Sequence, residues 1–131
     1  MTDHYLVDTH IWIWWNGAPD RLSDQVKRVI ADARNDVVFS VASGWEIAIK
    51  HGLGRLKLPE SPEHYVPKRV ATNRMRVLPI TLAHSLGVGR LPNHHRDPFD
   101  RILIAQARQE GLTLITADDA FLDYDVELLP R

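Results

Sequence analysis

The 131-residue sequence contains no cysteine. Disulfide bonds, thiolate metal sites and a cysteine nucleophile are therefore excluded. The chain also lacks an excess of positive charge, because 16 Lys and Arg residues stand against 17 Asp and Glu residues, for a formal net charge of −1. This balance argues against a protein that binds nucleic-acid duplexes through charge alone. It leaves room for an enzyme that holds phosphate groups with a metal ion and a few local cations.

Long apolar runs are missing as well. No stretch approaches the ~20 apolar residues of a membrane span, and the opening MTDHYLVDTH is charged where a signal peptide would be apolar. We therefore expect a soluble, cytoplasmic protein without membrane contact. Hydrophobic residues make up 44% of the chain and charged residues 25%, as in ordinary globular proteins. The length suits one core, and we expect residues 1–131 to form a single domain.

Short apolar runs alternate with segments of helical periodicity along the chain. The predicted strands are HYLVD (4–8), DVVFS (36–40), RVLPI (76–80), LTLITAD (112–118) and DVELLP (125–130). The predicted helices are THIWIWW (9–15), residues 22–33 capped by Ser23, ASGWEIAIKHG (42–52) ended by Gly52, TLAHSLGVG (81–89) and DPFDRILIAQARQEG (97–111), with a helical turn at DAFLDY (119–124). Three prolines predict a surface connection with at most a short helix over 55–67. The alternation predicts an α/β domain with a mostly parallel sheet covered on both faces.

Four acidic residues fall where predicted strands give way to helices. Asp8 ends the first strand, and Asp118 follows the strand LTLIT. Glu46 and Asp100 are each placed in the first turn of a predicted helix. Ligands bind beyond the carboxyl ends of the strands in such folds, so we expect these four side chains to meet at one edge of the sheet.

Each acid taken alone also has a purely structural explanation. Acids are favoured at helix starts, where they accept hydrogen bonds from free amides, and Asp8 or Asp118 could act as such a cap. Ser43 and Glu46 have the spacing of a capping box. Glu46 could also pair with Lys50 one turn later.

The four acids together are harder to explain structurally. Two carboxylates about 4 Å apart repel by roughly 4 kcal/mol at an effective dielectric constant of about 20. A cluster is tolerated only if some members are protonated or a cation sits among them. Oxygen ligands without cysteine favour Mg²⁺ or Mn²⁺. The pattern therefore predicts an acidic divalent-metal site suited to phosphoryl chemistry.

Four segments, YLVDTHIWIWW, SVASGWEIAIKHGLGRLKL, LPNHHRDPFDRILIAQA and LTLITADDAFLDYDV, together resemble the PIN-domain ribonucleases, specifically the VapC-like toxins of bacterial type II toxin–antitoxin systems. The resemblance covers nearly the whole chain in the right order. It implies a three-layer α/β/α sandwich with a central, mostly parallel sheet. It also implies an Mg²⁺-dependent endoribonuclease, with Mn²⁺ as a substitute, that is held inactive by a cognate antitoxin and commonly forms homodimers.

The resemblance assigns roles to the four acids. Asp8 and Asp100 would bind the metal directly, with Asp118 close by or acting through water. Glu46 would orient or deprotonate the attacking water. Thr116 occupies the family's hydroxyl position before the fourth acid, and we count it with Thr9 as a supporting residue.

Two other enzyme classes fit less well. Metal hydrolases with a histidine pair after the first strand share the sequence Asp8-Thr9-His10, but Trp12 stands where the second histidine would be, and the chain is too short for a (β/α)₈ barrel. A phosphatase with an aspartyl nucleophile would need an acid at the position of His10. The alternative that is not an enzyme is a catalytically silent PIN scaffold that only binds an antitoxin or RNA.

Several other residues have two explanations each. His94 and His95 could be metal ligands or touch RNA, although neighbouring histidines in a polar loop are more often solvated. Most of Trp12, Trp14, Trp15 and Trp45 should be core, with one or two on the first helix left for a dimer or antitoxin surface and RNA stacking less favoured. Arg101, Lys50 and Arg55 are candidates for phosphate contacts, with ordinary surface charge as the default. Asp97, which precedes Pro98, is predicted to cap its helix, leaving Asp100 for the metal.

Overall fold

Five parallel strands form one sheet in the computed structural model, which describes residues 3–92, 97–119, 121, 124 and 126–130. The strands are β1 (His4–Val7), β2 (Asp36–Ser40), β3 (Arg76–Leu78), β4 (Thr113–Thr116) and β5 (Leu128–Pro130). Their order is β3-β2-β1-β4-β5, and every neighbouring pair is parallel. The central strand β1 therefore has β2 on one side and β4 on the other. This places the ends of β1 and β4 next to each other.

Within the described ranges, six helices connect or flank the strands. They are α1 (Thr9–Gly17), α2 (Asp24–Ala31), α3 (Val41–Gly52), α4 (Pro62–Asn73), α5 (Leu82–Gly87) and α6 (Pro98–Glu110), with 3-10 turns at Pro19–Arg21 and Val88–Arg90. Ser23 caps α2 as predicted, since its hydroxyl accepts from the Val26 amide at 3.2 Å. No helix in the described ranges is long and apolar enough to cross a membrane.

Alternate strand residues enter two separate cores, one on each face of the sheet. Val7, Phe39 and Ile115 pack with α1, α2, α3 and α4 on one face. Their neighbours Leu6, Val38 and Leu114 pack with α6 on the other face. Both faces are covered by helices, which confirms the predicted α/β/α sandwich and explains why consecutive residues inside β1, β2 and β4 are apolar.

The prediction for residues 55–67 was wrong in its second half, because Pro62–Asn73 forms a helix of 12 residues, α4. Pro62 occupies a position in the first turn, where a missing N–H costs nothing. Pro67 lies inside the helix and removes one hydrogen bond. The helix persists because Tyr65 and Val70 are buried in the first core. Tertiary packing here outweighs the local effect of proline.

The end of α3 also differs in detail from the prediction. Gly52 is the last helical residue, and the left-handed conformation falls on Gly54, with φ of +74°. The Gly54 amide bonds to the His51 carbonyl at 3.0 Å. A residue with a side chain would be strained at this φ.

A buried polar network joins α5 and α6 to the end of β2. His84 is completely buried, and its Nδ1 accepts from the Thr81 amide at 3.0 Å. Its Nε2 therefore carries the proton of the neutral ring and donates to Glu110 at 2.9 Å. Gln106, also buried, accepts from the Ser40 hydroxyl at 2.6 Å. The sequence pattern did not predict this network.

We predict that Trp12→Ala lowers the free energy of unfolding by about 3–5 kcal/mol, the usual cost of removing a large buried aromatic side chain. Trp12 is fully buried, with its ring centroid 4.9 Å from that of Phe39. Urea unfolding followed by circular dichroism measures the change. Leu82→Ala is the control, because Leu82 is 75% exposed, and it should cost far less. Equal losses for the two variants would contradict this description of the core.

Candidate active site

Asp8 lies at the carboxyl end of β1, with only 3% of its surface exposed. Its backbone amide donates to the Ile115 carbonyl of β4 at 3.0 Å. One carboxylate oxygen caps α1 by accepting from the Ile11 amide at 2.9 Å, and the other accepts from the Thr116 hydroxyl at 2.5 Å. The capping role considered from the sequence is therefore real. It does not account for the second oxygen, which Thr116 orients.

Burial raises the pKa of Asp8 above its ordinary value. The hydrogen bonds from Thr116 and the Ile11 amide, together with His10, act against this rise without cancelling it, and the negative charge of Glu46 adds to it. The folded protein therefore favours the protonated form of Asp8 more than the unfolded chain does. A bound cation would relieve the same cost.

Glu46 lies in the second turn of α3 rather than in the first, and it is 2% exposed. The Thr9 hydroxyl donates to one of its oxygens at 2.6 Å and lies 2.9 Å from the Ser43 hydroxyl. Ser43 and Glu46 do not form a capping box, because Ser40 caps α3 by accepting from the Ala42 amide at 3.0 Å. Ser43 instead faces Thr9, one helical turn before Glu46. The three-residue spacing of Ser43 and Glu46 was the sequence signal that both side chains lie on the same face of α3.

Lys50 forms an ion pair with the second oxygen of Glu46, as the spacing of four residues predicted. Burial opposes the charge on Lys50, but the hydrogen bond and charge of Glu46, with the charges of Asp97 and Asp100, raise the pKa of Lys50 above its ordinary value. Asp97 and Asp100 thus lie near enough to Lys50 to act on its charge. Lys50 is therefore a cation that interacts with acids from both α3 and the start of α6.

Asp97 and Asp100 have separate positions at the start of α6. Asp97 is the N-cap, and one of its oxygens accepts from the amides of Phe99 at 2.9 Å and Asp100 at 3.3 Å. This confirms the predicted cap. Asp100 is the third residue of the helix and is half-buried.

Asp118 follows the end of β4 by two residues and has an exposed side chain. Its amide donates to the Thr116 hydroxyl at 3.0 Å. Thr116 thus connects the Asp8 carboxylate to the backbone that carries Asp118. The Thr116 hydroxyl, counted as a supporting group from the sequence, thus positions the Asp8 carboxylate and the Asp118 backbone relative to each other.

The acids do not form a finished metal site. Within the described residues, no three acidic or histidine side chains are placed so as to hold a metal ion. The donors are nevertheless the oxygen ligands that Mg²⁺ and Mn²⁺ prefer. Asp8, Glu46, Asp100 and Asp118 bring four carboxyl groups to this region, where Lys50 pairs with Glu46 and also interacts with the charge of Asp100. The chemistry and charge of the site therefore fit a divalent cation.

Arg101 is not available as a phosphate contact of the kind proposed from the sequence. Its guanidinium donates to the carbonyl oxygens of Pro92 at 2.9 Å and Val88 at 3.0 Å. These bonds tie the start of α6 to the segment before it. His94 and His95 lie outside the described residues.

The tryptophans are distributed differently from the prediction. Trp12 is buried, and Trp14 and Trp15 are partly buried against the first core. The exposed one is Trp45, on α3 rather than on the helix with the WIWW sequence. An exposed indole on α3 is thus the better candidate for a contact surface.

Residues 5–127 match the model of the PIN domain family. The chain belongs to the PIN domain family. The match begins at the second residue of β1, runs through β2, β3 and β4, ends directly before β5, and includes all four acids. The family resemblance seen in the sequence is therefore confirmed.

Two curated proteins of Mycobacterium tuberculosis are similar to this PIN domain. Ribonuclease VapC16 is 37% identical over 62 residues, which make up 47% of this chain and 43% of that protein. The alignment thus spans less than half of the relative. Ribonuclease VapC22 is 27% identical over 114 residues, 86% of this chain and 85% of that protein.

Solved structures share the fold. VapBC2 from Rickettsia felis, bound to a DNA fragment from its promoter, has a chain that superposes with a TM-score of 0.72 at 17% identity, covering 100% of this chain and 99% of that one. VapBC-5 from Mycobacterium tuberculosis is a member of the VapBC family of toxin-antitoxin systems. Its chain superposes with a TM-score of 0.60 at 18% identity, and the alignment covers 97% of this chain and 98% of that one. At these identities the likeness establishes the fold.

The raised pKa of Asp8 makes a prediction about stability and pH. Below the ordinary pKa of aspartate, Asp8 is protonated in both the folded and the unfolded chain. Its ionisation then contributes nothing to the free energy of unfolding. As the pH rises toward the higher folded value, only the unfolded chain ionises freely, so the folded state loses stability. We predict that the stability of Asp8→Asn relative to wild type increases as the pH rises from the ordinary pKa of aspartate toward the higher pKa of folded Asp8.

Urea unfolding in the presence of a chelator measures this difference without metal. Asp20→Asn, at an exposed position, controls for the loss of a unit of charge. If the stability of Asp8→Asn relative to wild type stays constant or falls as the pH rises, the pKa of Asp8 is not raised by folding.

Proposed function

We propose that this PIN domain is a metal-dependent endoribonuclease and the toxin of a type II toxin–antitoxin system. The observation that carries the proposal is the buried pair of carboxylates, Asp8 and Glu46, at the carboxyl edge of the sheet, with Asp100 and Asp118 at neighbouring helix and strand ends. Burying two carboxylates is costly, and a structural role explains only part of their contacts. Two similar proteins are named as ribonucleases, which supports RNA as the substrate.

Asp8, Asp100 and Asp118 are the residues that would hold a divalent cation, Mg²⁺ or in its place Mn²⁺. Their side chains would have to come together on binding, since the described residues contain no preformed group of three. Such an ion lowers the pKa of a bound water and stabilises negative charge on a phosphate. Asp8 is already oriented for this by Thr116.

Glu46 is the residue that would orient or deprotonate the attacking water. Thr9 fixes one of its oxygens, and Lys50 occupies the other. For the second oxygen to accept a proton, the Lys50 ammonium must move aside. Lys50 has a flexible side chain, one-third exposed, and can then contact the negative substrate. The ion pair thus holds the Glu46 side chain in place until RNA arrives.

An antitoxin is the regulatory partner that we propose. One fold neighbour is described as a member of a family of toxin-antitoxin systems. A partner segment that carries a basic group could compensate the acids as Lys50 does, and so block the site. This role, like the cytoplasmic location, follows from the VapC-like resemblance.

A second copy of the chain is the partner that we propose for α3. Val41, Trp45 and Ile49 on α3, and Leu53 directly after its end, recur every four residues and are all exposed, by 42%, 56%, 38% and 62%. Side chains with this spacing form one stripe along a helix. Apolar stripes of this kind mark contact surfaces, and a two-fold dimer can place the same stripe of each copy against the other.

Substitution of the acids tests the proposed activity. We predict that wild type cleaves RNA with Mg²⁺ or Mn²⁺, and that Asp8→Asn and Asp100→Asn each reduce the rate by more than about 100-fold, because even partners that only orient a metal ligand are worth about 10- to 100-fold. A gel assay of a structured RNA pool, with and without chelator, measures this.

Asp97→Ala is the matched control in the same helix turn. It should lower the free energy of unfolding by about 1 kcal/mol through the lost cap and retain most of the activity. No cleavage by wild type would indicate a silent PIN scaffold, and cleavage that survives in both asparagine variants would refute the metal site.

Light scattering coupled to size-exclusion chromatography tests the dimer. Wild type should elute as a dimer and Trp45→Glu as a monomer, because a charge would be buried in the contact. Leu82→Glu, at another exposed leucine on α5, should leave the dimer intact. A monomeric wild type, or a dimeric Trp45→Glu variant, would contradict the assignment of this stripe.

A further inference from the structure

A cleft of about 420 Å³ opens beside the acidic site, between α1 and the end of α3. Thr9 and Glu46 belong to its lining, so the cleft is continuous with the candidate active site. Its volume falls within the range of pockets that take small ligands. Ile13, Ile47 and Leu56 give the lining an apolar part.

The charged side chains of the cleft favour an anion. Arg21, Lys50 and Arg55 contribute three cations, and Glu46 is the acid in the lining. Since Glu46 is paired with Lys50, the two arginines are left as net positive charge. Arg55 is exposed and forms no ion pair within the ranges that the structure describes. Guanidinium groups bind phosphate through paired hydrogen bonds.

The cleft also presents an aromatic surface. The rings of Trp14 and His10 lie 5.9 Å apart and are tilted by 50°. The Arg21 guanidinium lies 5.2 Å from the centre of a Trp14 ring. Nucleic-acid bases stack on tryptophan and on arginine planes. An indole flanked by a cation therefore suits a base with its phosphate better than it suits a purely apolar ligand.

We propose that this cleft binds one nucleotide of the RNA, adjacent to the phosphate that is cleaved. The base stacks on Trp14, and Arg21 and Arg55 hold the neighbouring phosphate. The inference rests on the proposed ribonuclease function and extends it, because this subsite would set which base is accepted next to the cleavage position. Glu46 and Thr9, at the boundary, would place the bound nucleotide against the acids.

Gly17 provides a way to fill the cleft without removing its side chains. It is the last residue of α1 and lines the cleft, and a Cβ built there meets nothing within 4 Å. Gly17→Leu should therefore fold and occupy the space. Gly52 is the matched control, since it is the last residue of α3, has equally open surroundings and lies outside the cleft lining.

Binding of the four ribonucleoside 5′-monophosphates, titrated one at a time in the presence of chelator, tests the proposal by calorimetry. At least one should bind wild type with a dissociation constant on the order of millimolar and more tightly than inorganic phosphate does. Trp14→Leu, Arg55→Gln and Gly17→Leu should each weaken binding by at least about tenfold, and Gly52→Leu should bind as wild type does.

The same titration distinguishes this inference from the proposed function. Asp8→Asn should lose RNA cleavage but keep nucleotide binding, whereas Arg55→Gln should raise KM more than it lowers kcat. No nucleotide binding by wild type, or binding unchanged in Gly17→Leu, overturns the subsite even if RNA is cleaved. Tight binding of an acidic peptide such as hexaglutamate without nucleotide binding would overturn it too, and would identify a peptide site.

Discussion

The carboxylate of Asp8, buried between the ends of two adjacent parallel strands, is the constraint on which the site depends. Because β1 and β4 are neighbours, the last residue before α1 meets Thr116 across the sheet edge. The chain must compensate a buried charge here, and it uses a helix amide, a threonine hydroxyl and a nearby histidine. These contacts offset only part of the free-energy cost of burying the Asp8 carboxylate, because its pKa is still raised. The remaining cost is the reason to expect a bound cation.

Lys50 partly compensates the negative charge of the acids. Its ammonium pairs with Glu46 and feels Asp97 and Asp100, so one flexible cation serves acids from two helices. A divalent ion would bring more charge to this region and could release Lys50 toward the adjoining cleft. The cleft, with its two arginines and its tryptophan, would then offer a positive and aromatic surface next to the acids. The catalytic site and the substrate-binding surface would share Lys50 together with Thr9 and Glu46.

Residue patterns that act locally were predictable from the sequence. Apolar runs located all five strands, and Asp97 before Pro98 identified the start of α6, because a cap depends on a few consecutive residues. Features that depend on distant partners were not predictable. The helix over Pro62–Asn73 exists because Tyr65 and Val70 are buried, and the Ser43–Glu46 spacing, a capping box by pattern, is an inward-facing pair that contacts Thr9. Asp8 and Asp118 were found because they lie at strand ends, and Glu46 and Asp100 because they lie near helix starts. The distances among the four acids depend on side-chain packing, which the sequence pattern does not give.

Direct binding of Mn²⁺ tests the central claim, that the acids at this edge form a site for a divalent cation. Electron paramagnetic resonance of the free ion, during titration into the protein, counts bound metal without any substrate. Wild type should show saturable binding, Asp8→Asn should lose it, and Asp118→Asn should weaken it by about 10- to 100-fold. If wild type binds no Mn²⁺, or if both variants bind it as tightly as wild type, the metal site does not exist.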